Sequence, residues 1–281
     1  MRAWATLWGL VIAGCGRLGF DPVDDQAAEP VCGPWQPPVM VPELSSSDRD
    51  YGPALSADGL SIIIQSDRDA LGNELYEATR ASTSEPFGPP TRLLSLSSMV
   101  HDEGPALSSD GLTLYFASNR SAGFHLYVAT RSDRGLAFDP PQLVAATATY
   151  QVIGPSLSDD GTELFVTVNY PTNDLARITD LDQPTATLQM LTELNSAQTD
   201  GFPTISRDGL TLFWEGHGGD DILTAERPDR LSPFGPSRVV SELISTEYDG
   251  DPEISKDGRS IWFSSDRQGN TDIFMATRDC E

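Results

Sequence analysis

Gly104-Pro105-Ala106-Leu107-Ser108-Ser109-Asp110-Gly111-Leu112-Thr113-Leu114-Tyr115-Phe116 is the stretch on which the fold turns, because the chain repeats its frame. Asp-Gly recurs at Asp58-Gly59, Asp110-Gly111, Asp160-Gly161, Asp208-Gly209 and Asp257-Gly258, in steps of 52, 50, 48 and 49 residues. Upstream, Gly52-Pro53-Ala54-Leu55-Ser56, Gly154-Pro155-Ser156-Leu157-Ser158, Phe202-Pro203-Thr204-Ile205-Ser206 and Asp251-Pro252-Glu253-Ile254-Ser255 echo residues 104–108. Downstream comes an apolar run, such as Leu164-Phe165-Val166, Leu212-Phe213-Trp214 or Ile261-Trp262-Phe263. A polar loop and a second run follow, as in Leu75-Tyr76-Glu77-Ala78-Thr79-Arg80 or Ile273-Phe274-Met275-Ala276-Thr277-Arg278. A last strand follows Pro-rich turns such as Phe87-Gly88-Pro89-Pro90 and Phe234-Gly235-Pro236.

Asp-Gly between apolar strands marks a hairpin, since Gly takes a positive φ without steric cost. Each period is therefore four antiparallel strands. Such a unit cannot bury both faces alone, but blades packed in a circle cover one another. A solenoid and a two-domain sandwich are the alternatives, and a constant period of four strands favours the propeller. The expected fold is all-β: a five-bladed β-propeller of four-stranded antiparallel blades. The blades fall near residues 50–94, 102–144, 152–192, 200–240 and 249–278.

The ends of the repeat array carry a second expectation. Residues 35–42 resemble the fourth strands of other repeats but have no first three strands before them. The last repeat stops after its third strand, near Arg278. The amino-terminal strand should therefore complete the carboxy-terminal blade. That closure places Cys32 beside Cys280, where a disulfide would clasp the seam; two free thiols in frayed termini are the alternative.

Charge narrows the function. The 281 residues carry 18 Lys+Arg against 42 Asp+Glu, a formal charge of −24. Phosphate backbones are held by Lys and Arg, so nucleic acid is excluded as a partner. His101, His125 and His217 share no spacing, and the three cysteines are far apart, so no Cys- or His-rich metal site is expected. Hydrophobic residues make up 38%, enough for a core, and 24 Gly with 21 Pro suit many turns.

The first residues read as an address. Met1-Arg2 is a short positive segment, and residues 3–13 are apolar but too short for a stable membrane anchor. The segment ends in Leu10-Val11-Ile12-Ala13-Gly14-Cys15, which resembles a bacterial lipobox. The resemblance implies a signal peptide over 1–14, cleavage before Cys15 and acylation of Cys15. An ordinary signal peptide with an incidental cysteine is the alternative. Residues 15–34 read as a tether and 35–281 as the propeller. Gly16, in place of an Asp, favours the outer membrane. The membrane contact would run through acyl chains, and the oxidising periplasm would permit the Cys32–Cys280 bond.

The frame Gly-Pro-x-Leu-Ser-x-Asp-Gly, then Leu-Tyr-Phe-x-Ser-x-Arg and Leu-Tyr-x-Ala-Thr-Arg, resembles the WD40-like repeat of TolB-type β-propellers. Residues 104–131 carry it best, 52–80 and 251–278 well, and 154–180 and 201–227 in degenerate form. The resemblance implies a non-enzymatic envelope protein that binds other proteins. TolB itself adds an amino-terminal domain before a six-bladed propeller, for which this sequence has no room, so TolB's own partners do not carry over.

One position per repeat carries candidate chemistry. Three residues before the repeat proline stand Asp50, Asp102, Val152, Asp200 and Asp249. The four aspartates would lie near a channel rim, where they could hold Ca²⁺, attract a basic partner or hydrolyse glycosides. The loop opening on the same side carries Arg68, Arg120 and Arg267. Arg and Asp occur together in blades one, two and five, which points to ion pairs that brace each loop. The expected function is a non-catalytic envelope lipoprotein that binds or scaffolds an envelope protein with a basic surface. It has no catalytic residues, no metal and no required cofactor. A glycoside hydrolase or lyase working at the acidic rim is the alternative.

Overall fold

Strand β1 (Val39–Met40) comes first in the chain yet pairs with the last strand, because the ring can close only by joining its ends. The structure, a computed structural model, describes residues 32–69, 72–98, 100–169, 172–181, 186–216, 218 and 221–281. Cys15 and His217 lie outside these residues. Blade one is β2 (Asp50–Leu55), β3 (Ser61–Ser66), β4 (Glu74–Thr79) and β5 (Thr91–Arg92). Blade two is β6 (Asp102–Leu107), β7 (Thr113–Ser121), β8 (Gly123–Thr130) and β9 (Gln142–Leu143). Blade three is β10 (Val152–Leu157), β11 (Glu163–Asn169), β12 (Asn173–Thr179) and β13 (Thr187–Met190). Blade four is β14 (Gly201–Ile205), β15 (Thr211–Gly216), β16 (Asp221–Glu226) and β17 (Arg238–Val239). Blade five is β18 (Asp249–Ile254), β19 (Ser260–Ser265) and β20 (Asp272–Thr277), completed by β1 with Val39 opposite Met275.

The inner strands β2, β6, β10, β14 and β18 neighbour one another in that order, and β18 returns to β2. The chain is thus an all-β, five-bladed propeller closed by its amino-terminal strand. The core follows from strand alternation in a blade covered on both sides. In β3, Ile63 packs with Leu107, Leu114 and Phe116 of blade two. Its neighbours Ile62 and Ile64 pack with Trp262 and Ile273 of blade five. Each of the five blade interfaces has one such cluster.

The Asp-Gly turns repeat atom for atom. In blade one Ser56 N donates to Ser61 O, and Gly59, at φ +68°, donates to Ser56 O. The Ser56 hydroxyl donates to Asp58 Oδ1 and accepts from Ser61 N, while Leu60 N also donates to Asp58 Oδ1. Ser108, Ser158, Ser206 and Ser255 hold the same hydroxyl position.

At the seam Trp35 is buried against blade five, with the Arg278 guanidinium 4.2 Å from its ring centre. Cys32 and Cys280 are joined by a disulfide across a sequence separation of 248. A cross-link over so long a loop is worth about 5.5 kcal/mol in the chain-entropy account. The Cys32→Ser/Cys280→Ser variant should lose most of that in urea denaturation, and an unchanged midpoint would count against a clasped ring.

Candidate functional site at the rim and channel

Two faces follow from the strand directions. The rim face holds the loops entering each inner strand and the loops between second and third strands. The turn face holds the Asp-Gly turns and the loops between third and fourth strands.

The rim aspartates Asp50, Asp102, Asp200 and Asp249 are all 0–1% exposed. Arg68 Nη2 donates to Asp50 Oδ1 at 2.6 Å and to Leu44 O at 2.7 Å, while its Nε donates to the Ser66 hydroxyl at 2.8 Å. One guanidinium thereby clips the entering loop, the inner strand and the second strand. Ser46 N donates to the other oxygen, Asp50 Oδ2, at 2.6 Å. Arg120 repeats this clip on Asp102, Leu96 O and Ser118. Arg267 repeats it on Asp249, Leu243 O and Ser265. Asp200 has a different donor: Trp214 Nε1 reaches its Oδ1 at 3.1 Å, and Ser196 N its Oδ2 at 2.7 Å. In blade three Val152 fills the position and is fully buried. The structure thus puts the four aspartates inside the loop bases, engaged on both oxygens, and does not turn them into the channel. Among the described residues no group of three or more His, Cys, Asp or Glu is placed to hold a metal ion.

The channel is built by the residue before each repeat proline. Gly52, Gly104, Gly154, Phe202 and Asp251 all have φ between +48° and +57°. Each sits at a bulge where the pairing of inner and second strands shifts register. The proline that follows lacks an N–H, so the bulge leaves no ladder donor unpaired there. The bulges bring the backbones together on the axis: a Cβ on Gly104 would lie 3.0 Å from Gly154 N. Second-strand side chains tie the ring here. Gln65 Oε1 accepts from Gly104 N at 3.1 Å, Thr167 Oγ1 from Phe202 N at 2.7 Å and Ser264 Oγ from Gly52 N at 3.0 Å.

Around this pinch lies an acidic constellation, with Asp251 at the bulge position and Glu215 at the second-strand position that Gln65, Thr167 and Ser264 hold in other blades. The Tyr248 hydroxyl is 2.9 Å from Glu215 Oε2 and 3.3 Å from Asp251 Oδ2, and the Ser264 hydroxyl donates to Asp251 Oδ2 at 2.8 Å. Gly250 leaves the room for it, since a Cβ there would overlap Glu215 and Tyr248. Burial, then the Asp251 and Glu215 charges, push the Tyr248 phenol well above its ordinary value. Burial likewise raises Asp251, against the Ser264 and Tyr248 hydrogen bonds. Glu103, next to Asp102 on the inner strand of blade two, feels the Asp251 charge as well. Burial lifts its carboxyl from 4.5 to about 7, with the Asp251 and Asp102 charges adding to the rise and an Asn73 hydrogen bond opposing it.

The turn face carries arginines whose role the sequence reading did not assign. Arg131 Nε donates to Gly111 O while its Nη atoms clamp Glu77 of blade one at 3.0 and 2.9 Å. Arg227 does the same to Gly209 O and Glu163 of blade three. Arg80, Arg131, Arg227 and Arg278 each lie 4.2–4.8 Å from the ring centre of Phe87, Phe138, Phe234 or Trp35. The signal was the recurring Thr-Arg or Glu-Arg that ends the third strand, absent in blade three where Asp180 stands. The turn aspartates also do more than cap their own turns. Asp58 pairs with Arg134 of blade two and Asp160 with Arg230 of blade four, in each case the next blade along the chain.

Glu103 gives a pH test. Its folded-state value lies above its unfolded one, so its contribution is complete below about 4.5 and is lost as pH rises through about 7. At about 1.4 kcal/mol per unit, the unfolding free energy should fall by roughly 3 kcal/mol from this group between pH 4 and pH 8. Chemical denaturation across that range should show the decline, and Glu103→Gln should flatten it. A wild-type slope that survives in Glu103→Gln would remove the assignment.

No protein-family model matches the sequence, and no curated protein matches it. Similarity appears among solved structures. TolB from Acinetobacter baumannii superposes with a TM-score of 0.55 at 18% identity, covering 84% of this chain and 56% of that one. The chain thus spans little more than half of that TolB. A protein assigned as TolB from Agrobacterium tumefaciens gives a TM-score of 0.51 at 14% identity, covering 81% and 76%. An α-L-arabinofuranosidase from Podospora anserina gives 0.56 at 11% identity, covering 89% and 98%. At these identities the likeness is one of fold: the chain is a β-propeller similar to those of TolB structures, with a ring of five blades.

Proposed function

We propose that the protein is a non-catalytic envelope lipoprotein, anchored through Cys15, that binds a basic protein partner on its rim face. The observation that carries this is how the two kinds of rim carboxylate divide. The repeated ones are buried in loop braces. Six others, Glu43, Asp48, Asp69, Glu193, Glu242 and Glu247, are exposed on that face. Among the described residues the exposed guanidinium of this face is Arg49, already 3.0 Å from Asp67. Like charges on this face repel one another and lower the barrier for a cationic surface to approach. The lipobox and TolB-type repeats support the envelope setting, and the lipobox favours the outer membrane. No residue of this reading is catalytic and no cofactor is needed; Ca²⁺ has no assembled ligand set at the rim aspartates.

A glycosidase or lyase is the second reading. It is favoured by the Glu103, Glu215, Tyr248 and Asp251 constellation, where raised carboxyl values suit a proton donor. Against it stands the axial hollow, which the repeat prolines and the bulge residues line and which only Asp251 of these four residues reaches.

Capture from envelope extract separates the two. Wild-type chain should retain a basic protein at low salt and release it as salt rises. The Glu193→Lys/Glu242→Lys/Glu247→Lys variant should lose at least tenfold in retention. Capture indifferent to both would overturn the binding reading. Hydrolysis of a glycoside panel by wild type, abolished in Glu215→Gln and Asp251→Asn, would install the enzyme instead.

A further inference from the structure

Blade one shows what a buried acid needs at one recurring place on the rim. Glu74 opens β4 and is 1% exposed. The loop from β5 to β6 arches over it: Leu93 N donates to Leu75 O and Asp102 N to Asn73 O, one bond on either side of Glu74. Arg92 stands at the foot of this arch. Its Nη2 donates to Glu74 Oε1 at 2.9 Å and to the Ser97 hydroxyl, and Ser97 donates to the same carboxylate oxygen at 2.8 Å.

Blade five repeats the arch without the cation. Asp272 opens β20, and the two acids hold equivalent places: Glu74 pairs with Ser66 and Asp272 with Ser265, the serines that receive Arg68 and Arg267. Residues 41–50 arch over Asp272, with Val41 N bonded to Ile273 O and Asp50 N to Thr271 O. Matched at a spacing of 52 residues, Ser45 corresponds to Ser97, but Met40 stands in the place of Arg92. Asp272 is 7% exposed, and its Oδ1 has no hydrogen-bond partner among the described residues. Burial and the Asp50 charge raise its carboxyl, with a Ser45 hydrogen bond opposing. A buried carboxylate oxygen without a donor keeps its desolvation penalty unrelieved.

The surroundings suit a side chain that arrives from outside. Glu43 and Asp48 are exposed on the arch itself, and their charge favours the approach of a cation. Val39, beside the foot of the arch, is 56% exposed, and Met40 is half-buried. Both offer apolar contact to an aliphatic stem, and unbranched Met40 can turn aside. A guanidinium can donate to a carboxylate and a hydroxyl at once, as Arg92 does in blade one, whereas an ammonium is a point charge.

We infer that the arch over Asp272 is a receiving pocket for an arginine of the protein partner, which takes the place that Arg92 fills in blade one. Asp272 and Ser45 are its acceptors. The pocket rests on the basic-partner reading and gives that partner a defined point of contact on the rim of blade five.

The probes are a fluorescent Gly-Gly-Arg-Gly-Gly peptide and its citrulline counterpart, which keeps the shape and loses the charge. Both are titrated by anisotropy against the chain from Cys15 onward, which contains the whole propeller. Wild type should bind the arginine peptide at least fivefold tighter than the citrulline peptide. Met40→Arg supplies the guanidinium from within, so it should abolish that preference and raise the urea midpoint. Asp272→Asn should also abolish the preference, and combined with Met40→Arg it should cancel the gain in midpoint. Thr192→Arg adds the same charge to the rim face on the loop entering blade four, and should keep the preference. Equal binding of the two peptides by wild type, or a preference lost as fully in Thr192→Arg as in Met40→Arg, would overturn the pocket. The basic-partner reading fails separately, through extract capture that is indifferent to salt and to the Glu193→Lys/Glu242→Lys/Glu247→Lys variant, so the two failures are told apart.

Discussion

Five inner strands must pass one axis without colliding, and that crowding shapes most of the ring. The backbone meets it by bulging at a left-handed residue just before each repeat proline. Glycine does this freely at 52, 104 and 154. Phe202 and Asp251 do it with side chains, at a conformational cost of about 1–3 kcal/mol each. Their neighbours hold them there: Thr167 accepts from the Phe202 amide, and Ser264 donates to the Asp251 carboxylate. The same bulges bring the glycines into backbone contact, so the axis is pinched rather than open. A small ring closed in this way leaves its two loop faces as the surfaces that partners can reach.

The net charge of −24 is compatible with a folded ring because it is neutralised where burial is greatest. Rim aspartates take guanidinium groups or an indole N–H. Glu77 and Glu163, at blade boundaries, take bidentate arginines from neighbouring blades. Such clamps tie blade to blade, where apolar contact gives adhesion but little register. Exposed carboxylates remain on both loop faces, such as Glu193, Glu242 and Glu247 at the rim and Glu85, Asp139 and Asp257 on the turn face.

The blade count and the closing strand were legible because they rest on period and on the Asp-Gly hairpin, both local properties of the sequence. The coincidence of Asp50 with Arg68, Asp102 with Arg120 and Asp249 with Arg267 was legible for the same reason: partners 18 residues apart recur together. Asp200 was not. Its partner Trp214 belongs to an apolar run, and nothing in the sequence separates an indole that donates from one that only packs. The rim aspartates also read as more open than they are, since a loop position gives no measure of depth. The Glu215, Tyr248 and Asp251 constellation escaped because its members come from two blades and fall at different repeat positions. The arginine clamps had a visible signal in the residue ending each third strand, but their acceptors lie one blade away.

Because the repeated rim carboxylates act as braces, the exposed ones are free to meet a partner. A double-mutant cycle on Asp102→Ala and Arg120→Ala, read by urea denaturation, tests this most directly. A coupling energy of about 1–3 kcal/mol is predicted for a contacting pair so deeply placed. A coupling near zero would contradict it and return the rim aspartates to the pool of candidate ligands.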